Sequence, residues 1–182
     1  MTFDFWEEYQ QEALKTGIYP DKGNNVLYPT LGLMSELGEV AGKLKKMLRD
    51  DGGVLTIDRQ EALSGEIGDV LWYVAVLCSE LGFEMKKITC DASKCTAPKE
   101  LNVYQMVLET QISMGIISMN IIDNTKKESL TSVYSALKFI FFHIDDICTM
   151  LDLQIEQTAK DNLDKLVRRK KRGTLKGEGD KR

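Results

Sequence analysis

The chain has 182 residues, of which 43% are hydrophobic, and its formal net charge is -4. This size suits one well-buried domain, and the mixed charge argues against a basic nucleic-acid-binding protein. The four cysteines fit neither a CxxC pair nor a disulfide framework, so reduced thiols are expected, with Cys78 and Cys148 in the core. We find no apolar run of about 18 residues and no N-terminal targeting signal, which predicts a cytoplasmic protein without a membrane partner.

Helical periodicity dominates the sequence, and sustained strand alternation is absent, so we expect an all-α bundle of about six helices. The first helix is predicted from Phe3 to Lys15, behind Thr2 as its cap, and stops at Gly17. After a loop that contains two prolines, Thr30 is predicted to cap the second helix, which ends near Arg49.

The third helix is predicted to open at a capping pair, Asp58 and Glu61, and to end at Gly82. The polar segment 86–100, which contains Pro98, is interpreted as the main linker of the chain. Three further helices are predicted at 101–122, 130–151 and 155–172. The inward stripe of the first is predicted as Leu101, Tyr104, Leu108, Gly115, Met119 and Ile122, and that of the second as Val133, Leu137, Ile140, Ile144, Ile147 and Leu151.

An internal repeat is indicated when the sequence is shifted by 70 residues, because the apolar positions of 65–85 then align with those of 135–155. Glu66 meets Ala136 in this alignment, so a second copy would have kept its packing and lost its carboxylates. Two helices of similar periodicity can also align by chance. We therefore divide a single helical domain, 1–182, into a metal-site unit (1–85), a degenerate repeat (99–152), a basic helix (153–172) and a flexible tail (173–182).

Two acidic pairs interrupt apolar helical segments: Glu36 with Glu39 in LMSELGEVAG, and Glu66 with Asp69 in EIGDVLWYVAVLC. Residues three apart lie on the same side of a helix, so each pair directs two carboxylates one way. No Lys or Arg lies within four residues of Glu66 or Asp69. At ~4 Å and an effective dielectric constant of about 20, each like-charged pair costs roughly 4 kcal/mol. If the pairs meet, the cluster should bind protons or divalent cations.

Four carboxylates without histidine or thiolate suit Mg²⁺, or Mn²⁺, better than zinc or copper. A di-iron site is a weaker alternative, because it requires Glu-x-x-His and Ile140 lies three residues before His143. Each acidic pair on its own is also compatible with the plain polar side of a helix.

The order E-x-x-E, 26 intervening residues and E-x-x-D resembles that of the MazG-like all-α nucleoside triphosphate pyrophosphohydrolases. The segments IYPDKG, NVLYPTLGL, LRDDGG, GDVLWYVA and NLDKLVRRKKRGTLKG are also similar to that family, over about 3–90 and 153–180. The resemblance implies Mg²⁺-dependent cleavage between the α and β phosphates of a (deoxy)nucleotide, giving a monophosphate and pyrophosphate. It implies that Glu36, Glu39, Glu66 and Asp69 hold metal, and that Glu36 or Glu39 helps to deprotonate the attacking water.

Positive groups are also required for this chemistry. The candidates for binding the phosphates are Lys43, Lys46, Arg49, Asn162, Lys165, Arg169 and Arg172. Asn162 and Lys165 match an Asn-x-x-Lys pattern that the family places near the nucleotide. Basic residues at a helix C-terminus also stabilise the helix dipole without any ligand. Trp6, Trp72 and Tyr73 are candidates for stacking on a base, although aromatic residues in apolar segments are more often core.

The resemblance extends to assembly, because family members are usually dimers of helical bundles and are related to the dimeric dUTPases and dCTPases. The degenerate repeat (99–152) lies between the two segments that carry the resemblance. It would either replace a partner subunit, giving a pseudo-dimer, or leave a homodimer or higher homo-oligomer. Two other functions stay open. One is a non-catalytic helical interaction or regulatory protein stabilised by metal, and the other, less expected, is nucleic-acid binding through 165–172.

Overall fold

The computed structural model describes residues 4–96, 100–123 and 127–175, without the side chains of 127 and 128. Over these ranges the chain is all-helical, so the predicted fold class is confirmed, with seven helices in place of about six. They are α1 (Phe5–Thr16), α2 (Leu27–Asp50), α3 (Ile57–Leu81), α4 (Met85–Ala92), α5 (Val103–Ile122), α6 (Lys127–Met150) and α7 (Ile155–Lys171). The predicted start of α1 is wrong, because the Asp4 side chain caps this helix and accepts hydrogen bonds from the N–H groups of Trp6 and Glu7. Thr2 and Phe3 themselves, Pro98 and the tail from 176 onward lie outside the described residues.

The start of α2 differs from the sequence prediction, because the helix begins at Leu27 and Thr30 is not its cap. Pro29 lies in the first turn, where a backbone N–H has no helical acceptor and its loss is tolerated. The side-chain oxygen of Asn25 accepts a hydrogen bond from the Tyr28 N–H at 3.0 Å. The Thr30 hydroxyl donates to the Val26 carbonyl at 2.6 Å, inside the helix.

The ends of α3 are set by Thr56 and Gly82. The Thr56 hydroxyl accepts a hydrogen bond from the Arg59 N–H at 3.3 Å, so the prediction that Asp58 opens this helix is wrong by two residues. The helix stops at Gly82, as predicted, where the backbone is left-handed with φ of +72°.

The predicted linker contains a helix that the sequence analysis missed. Helix α4 occupies the first part of the 86–100 segment and buries Met85, Ile88, Thr89 and Ala92. These positions follow helical spacing, but polar residues between them make the segment look like a loop. Contacts with α6 and α1 cover the buried side and stabilise this short helix.

Helix α3 is the central element of the bundle and contacts α1, α2, α4, α6 and α7. Among the described helices it alone is long and apolar enough, by length and composition, to cross a membrane, but 67% of that apolar stretch is buried inside the bundle. The Trp72 indole N–H donates to the Ala13 carbonyl at 3.2 Å and to the Thr16 hydroxyl at 2.8 Å. Cys78 and Cys148 are buried, and all four cysteines are free.

Helices α5 and α6 pack together, and α5 also contacts α2. The predicted stripe of α6 is confirmed, since all six residues named for it are buried. The stripe predicted for α5 is wrong, because Leu108, Met119 and Ile122 are exposed. The side that is buried instead carries Met106, Val107, Thr110, Ser113, Met114 and Ile117. Apolar residues of α5 occupy most of its circumference, so their spacing did not identify one buried side. The division of the chain into a metal-site unit and a degenerate repeat stays a prediction.

Candidate active site

The two acidic helices approach closely beside the acidic residues. A Cβ atom on Gly32 of α2 would lie 2.0 Å from Cε1 of Tyr73 on α3, so glycine is required for this approach. With that register, Glu36 and Glu39 face Glu66. One carboxylate oxygen from each of these three residues lies within 4.8 Å of the others. The structure therefore brings together three of the four acids that the spacing singled out.

Burial and like charge dominate the electrostatics of this cluster. Glu66 is only 5% exposed, Glu36 is half-buried and Glu39 is exposed. The pKa of Glu36 is raised to about 8, first by burial and then by the charges of Asp69, Glu39 and Glu66, while Lys165 opposes the shift. Without a bound cation, the cluster therefore holds a proton near neutral pH.

The fourth acid, Asp69, lies beside the cluster and is paired with α7. Lys165 Nζ lies 3.0 Å from each Asp69 carboxylate oxygen. The Asn162 side-chain N–H donates to Asp69 Oδ1 at 2.6 Å. On α2, Lys43 Nζ lies 3.0 Å from a Glu66 oxygen. Cations from other helices thus provide the partners that neither acid has within its own helix.

Helix α7 reaches Asp69 because Gly68 leaves room for it. A Cβ atom on Gly68 would lie 2.7 Å from the Cβ of Asn162. Two buried polar atoms of this region, Oδ1 of Asn162 and the hydroxyl of Tyr9, have no hydrogen-bond partner among the described residues. Burial, and secondarily the charge of Asp69, raise the pKa of Tyr9. Sequence analysis did not single out Tyr9 as a residue of the site.

Comparison with known proteins bears directly on this arrangement. The family model of the MazG nucleotide pyrophosphohydrolase domain matches residues 27–94, a range that contains all four acids. The Gene 37 protein of Mycobacterium phage L5 is 40% identical to this chain over 103 residues, which cover 53% of this chain and 90% of that protein. The chain belongs to the MazG nucleotide pyrophosphohydrolase family. No solved structure matches it.

The MazG domain match ends within the segment that follows α4, so α7 and its Asn-x-x-Lys residues lie outside it. The other charged residues predicted to bind the phosphates are Lys46 and Arg49 on α2 and Arg169 and Arg172 at the end of α7. Lys46 is exposed, and Arg49 pairs with Asp50 at 2.6 Å. Arg169 and Arg172 lie about one and two turns beyond Lys165. Arg169 is half-buried and Arg172 is exposed. Their roles stay predictions.

The aromatic residues of this MazG-family chain divide into two groups. Trp6 and Trp72, both predicted as stacking candidates, are buried among core side chains. Tyr73 is half-buried, and its pKa is raised above the usual value by burial, then by Tyr28 and then by the charges of Glu36 and Asp69. Its ring packs against Gly32 of α2, one turn before Glu36. Tyr28, which sequence analysis placed in a loop, lies in the first turn of α2, and its ring is 6.3 Å from that of Tyr73.

Proposed function

We propose that this protein is a nucleoside triphosphate pyrophosphohydrolase that depends on Mg²⁺, or on Mn²⁺. Its reaction would cleave the bond between the α and β phosphates of a (deoxy)nucleotide and release a monophosphate and pyrophosphate. The observation that carries the proposal is the convergence of Glu36, Glu39 and Glu66 within 4.8 Å in a member of the MazG family. Carboxylates this close repel one another, so a cation or a proton must balance their charge.

The donor set fits a hard divalent cation. Carboxylate oxygens are the ligands that Mg²⁺ and Mn²⁺ prefer. Burial, followed by the charges of the neighbouring acids, raises the pKa of Glu36 to about 8, so a cation bound here would replace a proton. Glu36, Glu39 and Glu66 would hold the ion, with Asp69 as the adjacent fourth ligand. When bound, the ion supplies positive charge that neutralises these carboxylates and the phosphates of the substrate.

The lysines at the rim of the cluster are suited to bind the phosphates. Lys43 and Lys165 each contact an acid at 3.0 Å and keep part of their surface exposed. An ammonium group on a flexible stem can exchange a carboxylate oxygen for a phosphate oxygen. Positive charge placed before the reaction stabilises the charge that develops on the transferring phosphate. Lys46, Arg49, Arg169 and Arg172 would extend this field around the substrate.

Proton transfer from the attacking water falls to Glu36 or Glu39. Both lie on α2 and belong to the acidic cluster, and Asn162 donates a hydrogen bond to Asp69 beside it. A carboxylate next to the reacting water serves as a general base when its pKa lies near the working pH.

The test is incubation of the purified protein with a panel of ribo- and deoxynucleoside triphosphates and diphosphates in Mg²⁺, followed by chromatography of the products. From a triphosphate we expect a nucleoside monophosphate and pyrophosphate in equal amounts, whereas the same cleavage of a diphosphate would give a monophosphate and orthophosphate. Glu66→Gln should abolish turnover, whereas Glu61→Gln, an exposed acid on the same helix, should not change it. Release of single phosphates from a triphosphate, or no turnover together with metal-dependent melting, would contradict the proposal. The second result would favour the regulatory alternative.

A further inference from the structure

The carboxylate of Glu80, near the end of α3, organises the loop between α1 and α2. It accepts hydrogen bonds from the Tyr19 hydroxyl at 2.5 Å and from the backbone N–H of Gly23 and Asn25, each at 2.8 Å. Burial alone would raise the pKa of Glu80, but these three hydrogen bonds keep it below the usual value. One side chain thus fixes the loop at three points and keeps it against α3.

The loop and the first turn of α2 carry an aromatic pair. The rings of Tyr19 and Tyr28 are stacked, with centroids 4.6 Å apart and planes inclined by 10°. Tyr19 is buried, while Tyr28 is 38% exposed and therefore offers aromatic surface to solvent. The ring of Tyr28 lies 6.3 Å from that of Tyr73, which leads on to the acidic cluster.

Asp69, which lies beside the acidic cluster, and Glu80, which holds the loop, are on the same side of α3. Tyr73 follows Asp69 by four residues, and Glu80 follows Tyr73 by seven, so Asp69, Tyr73 and Glu80 share one side of the helix. Asp69 marks the charged end of this side, beside the acidic cluster, with Tyr73 about one turn and Glu80 about three turns further along the helix. A nucleotide has the same division, with charged phosphates at one end and a flat base at the other.

We propose that Glu80 is a positioning residue for nucleotide binding, which holds the Tyr19–Tyr28 stack where Tyr28 receives the base. This inference rests on the proposed function for the identity of the ligand. Stacking tolerates any base, because every base has a π-face, so the aromatic end would contribute affinity more than base selectivity. The acids and lysines that act on the phosphates do not contact Glu80, so its effect should fall on binding.

The experiment compares Glu80→Gln, Tyr28→Ala and the double variant with the unaltered protein and with the Glu61→Gln control. The glutamine replaces one acceptor oxygen with a donor, so it cannot accept all three bonds. Two measurements need no turnover: equilibrium binding of a deoxynucleoside triphosphate with a non-hydrolysable α,β-imido bridge, and amide hydrogen exchange across 18–28. Steady-state kinetics then separate KM from kcat.

We expect Glu80→Gln and Tyr28→Ala each to weaken binding of the analogue about 5- to 100-fold, the range that corresponds to loss of one base stack. KM should rise similarly with kcat within about threefold. Exchange across 18–28 should become faster in Glu80→Gln only. Because Glu80 acts through Tyr28, the double variant should bind no more weakly than Tyr28→Ala.

Several results would overturn the inference. Equal binding of the analogue by Glu80→Gln and the unaltered protein would do so, even if the loop exchanges faster. Additive losses in the double variant would show that Glu80 acts by another route, and a fall in kcat at constant KM would place its effect at the metal site. If the unaltered protein binds the analogue but does not hydrolyse nucleotides, the proposed function fails while the role of Glu80 is still decided by binding. If it does neither, both fail.

Discussion

Binding of Mg²⁺ should depend steeply on pH, because the cation must displace a proton from Glu36. With a pKa of about 8, this carboxyl is ionised in about one molecule in a hundred at pH 6 and about one in ten at pH 7. Since a metal binds the ionised form, the apparent affinity should rise about tenfold from pH 6 to 7 and about fivefold from pH 7 to 8. Above pH 9 it should level off.

Isothermal titration calorimetry with Mg²⁺ at four pH values, in two buffers of different ionisation enthalpy, measures the affinity for the ion and the number of protons released. At pH 7 we expect about 0.9 proton released for each ion bound. Glu36→Gln should bind Mg²⁺ more weakly and release almost no proton, while Glu61→Gln should behave as the unaltered protein. An affinity that does not change between pH 6 and 8 would refute the reasoning that burial and repulsion protonate this carboxyl.

The raised pKa of Glu36 also determines whether stability rises or falls with pH. The folded pKa of Glu36, about 8, lies above the unfolded value of 4.5, so the folded state holds the proton more tightly. The stability that the folded protein gains from this proton is fully present below pH 4.5 and is lost as the pH rises toward 8. In EDTA, the melting temperature should therefore decline over that range more in the unaltered protein than in Glu36→Gln. Addition of Mg²⁺ at pH 8 should restore it, and an equal decline in both proteins would contradict the assignment.

Two further predictions concern α7 and its contact with α3. Lys165→Met should lower turnover about 100-fold by removing a phosphate ligand, whereas the exposed Lys160→Met on the same helix should leave it unchanged in a pyrophosphate-release assay. Gly68→Ala should destabilise the fold by about 1–3 kcal/mol in urea unfolding, since its Cβ would lie 2.7 Å from the Cβ of Asn162. Gly65→Ala meets open space and should instead stabilise by up to about 1 kcal/mol, so equal effects at the two glycines would contradict the packing argument.

Local sequence patterns identified most helices, and their failures have physical causes. The end of α3 followed from Gly82, whose left-handed backbone suits glycine. The inward side of α6 followed from its regular spacing of apolar residues. The start of α2 was misplaced because proline discourages a helix interior but is tolerated in the first turn. Helix α4 was missed because a short helix draws its stability from tertiary contacts, which local propensity does not report.

The sequence by itself determined that two acidic pairs lie on helices, each directed to one side, and that Glu66 and Asp69 lack local counter-charges. Only the tertiary structure decided which cations serve them, namely Lys43 from α2 and Lys165 from α7. It also decided that Glu36, Glu39 and Glu66 form one cluster while Asp69 turns to α7. Helical periodicity fixes which residues share a side of their own helix, whereas the neighbour that each side meets depends on how the helices pack.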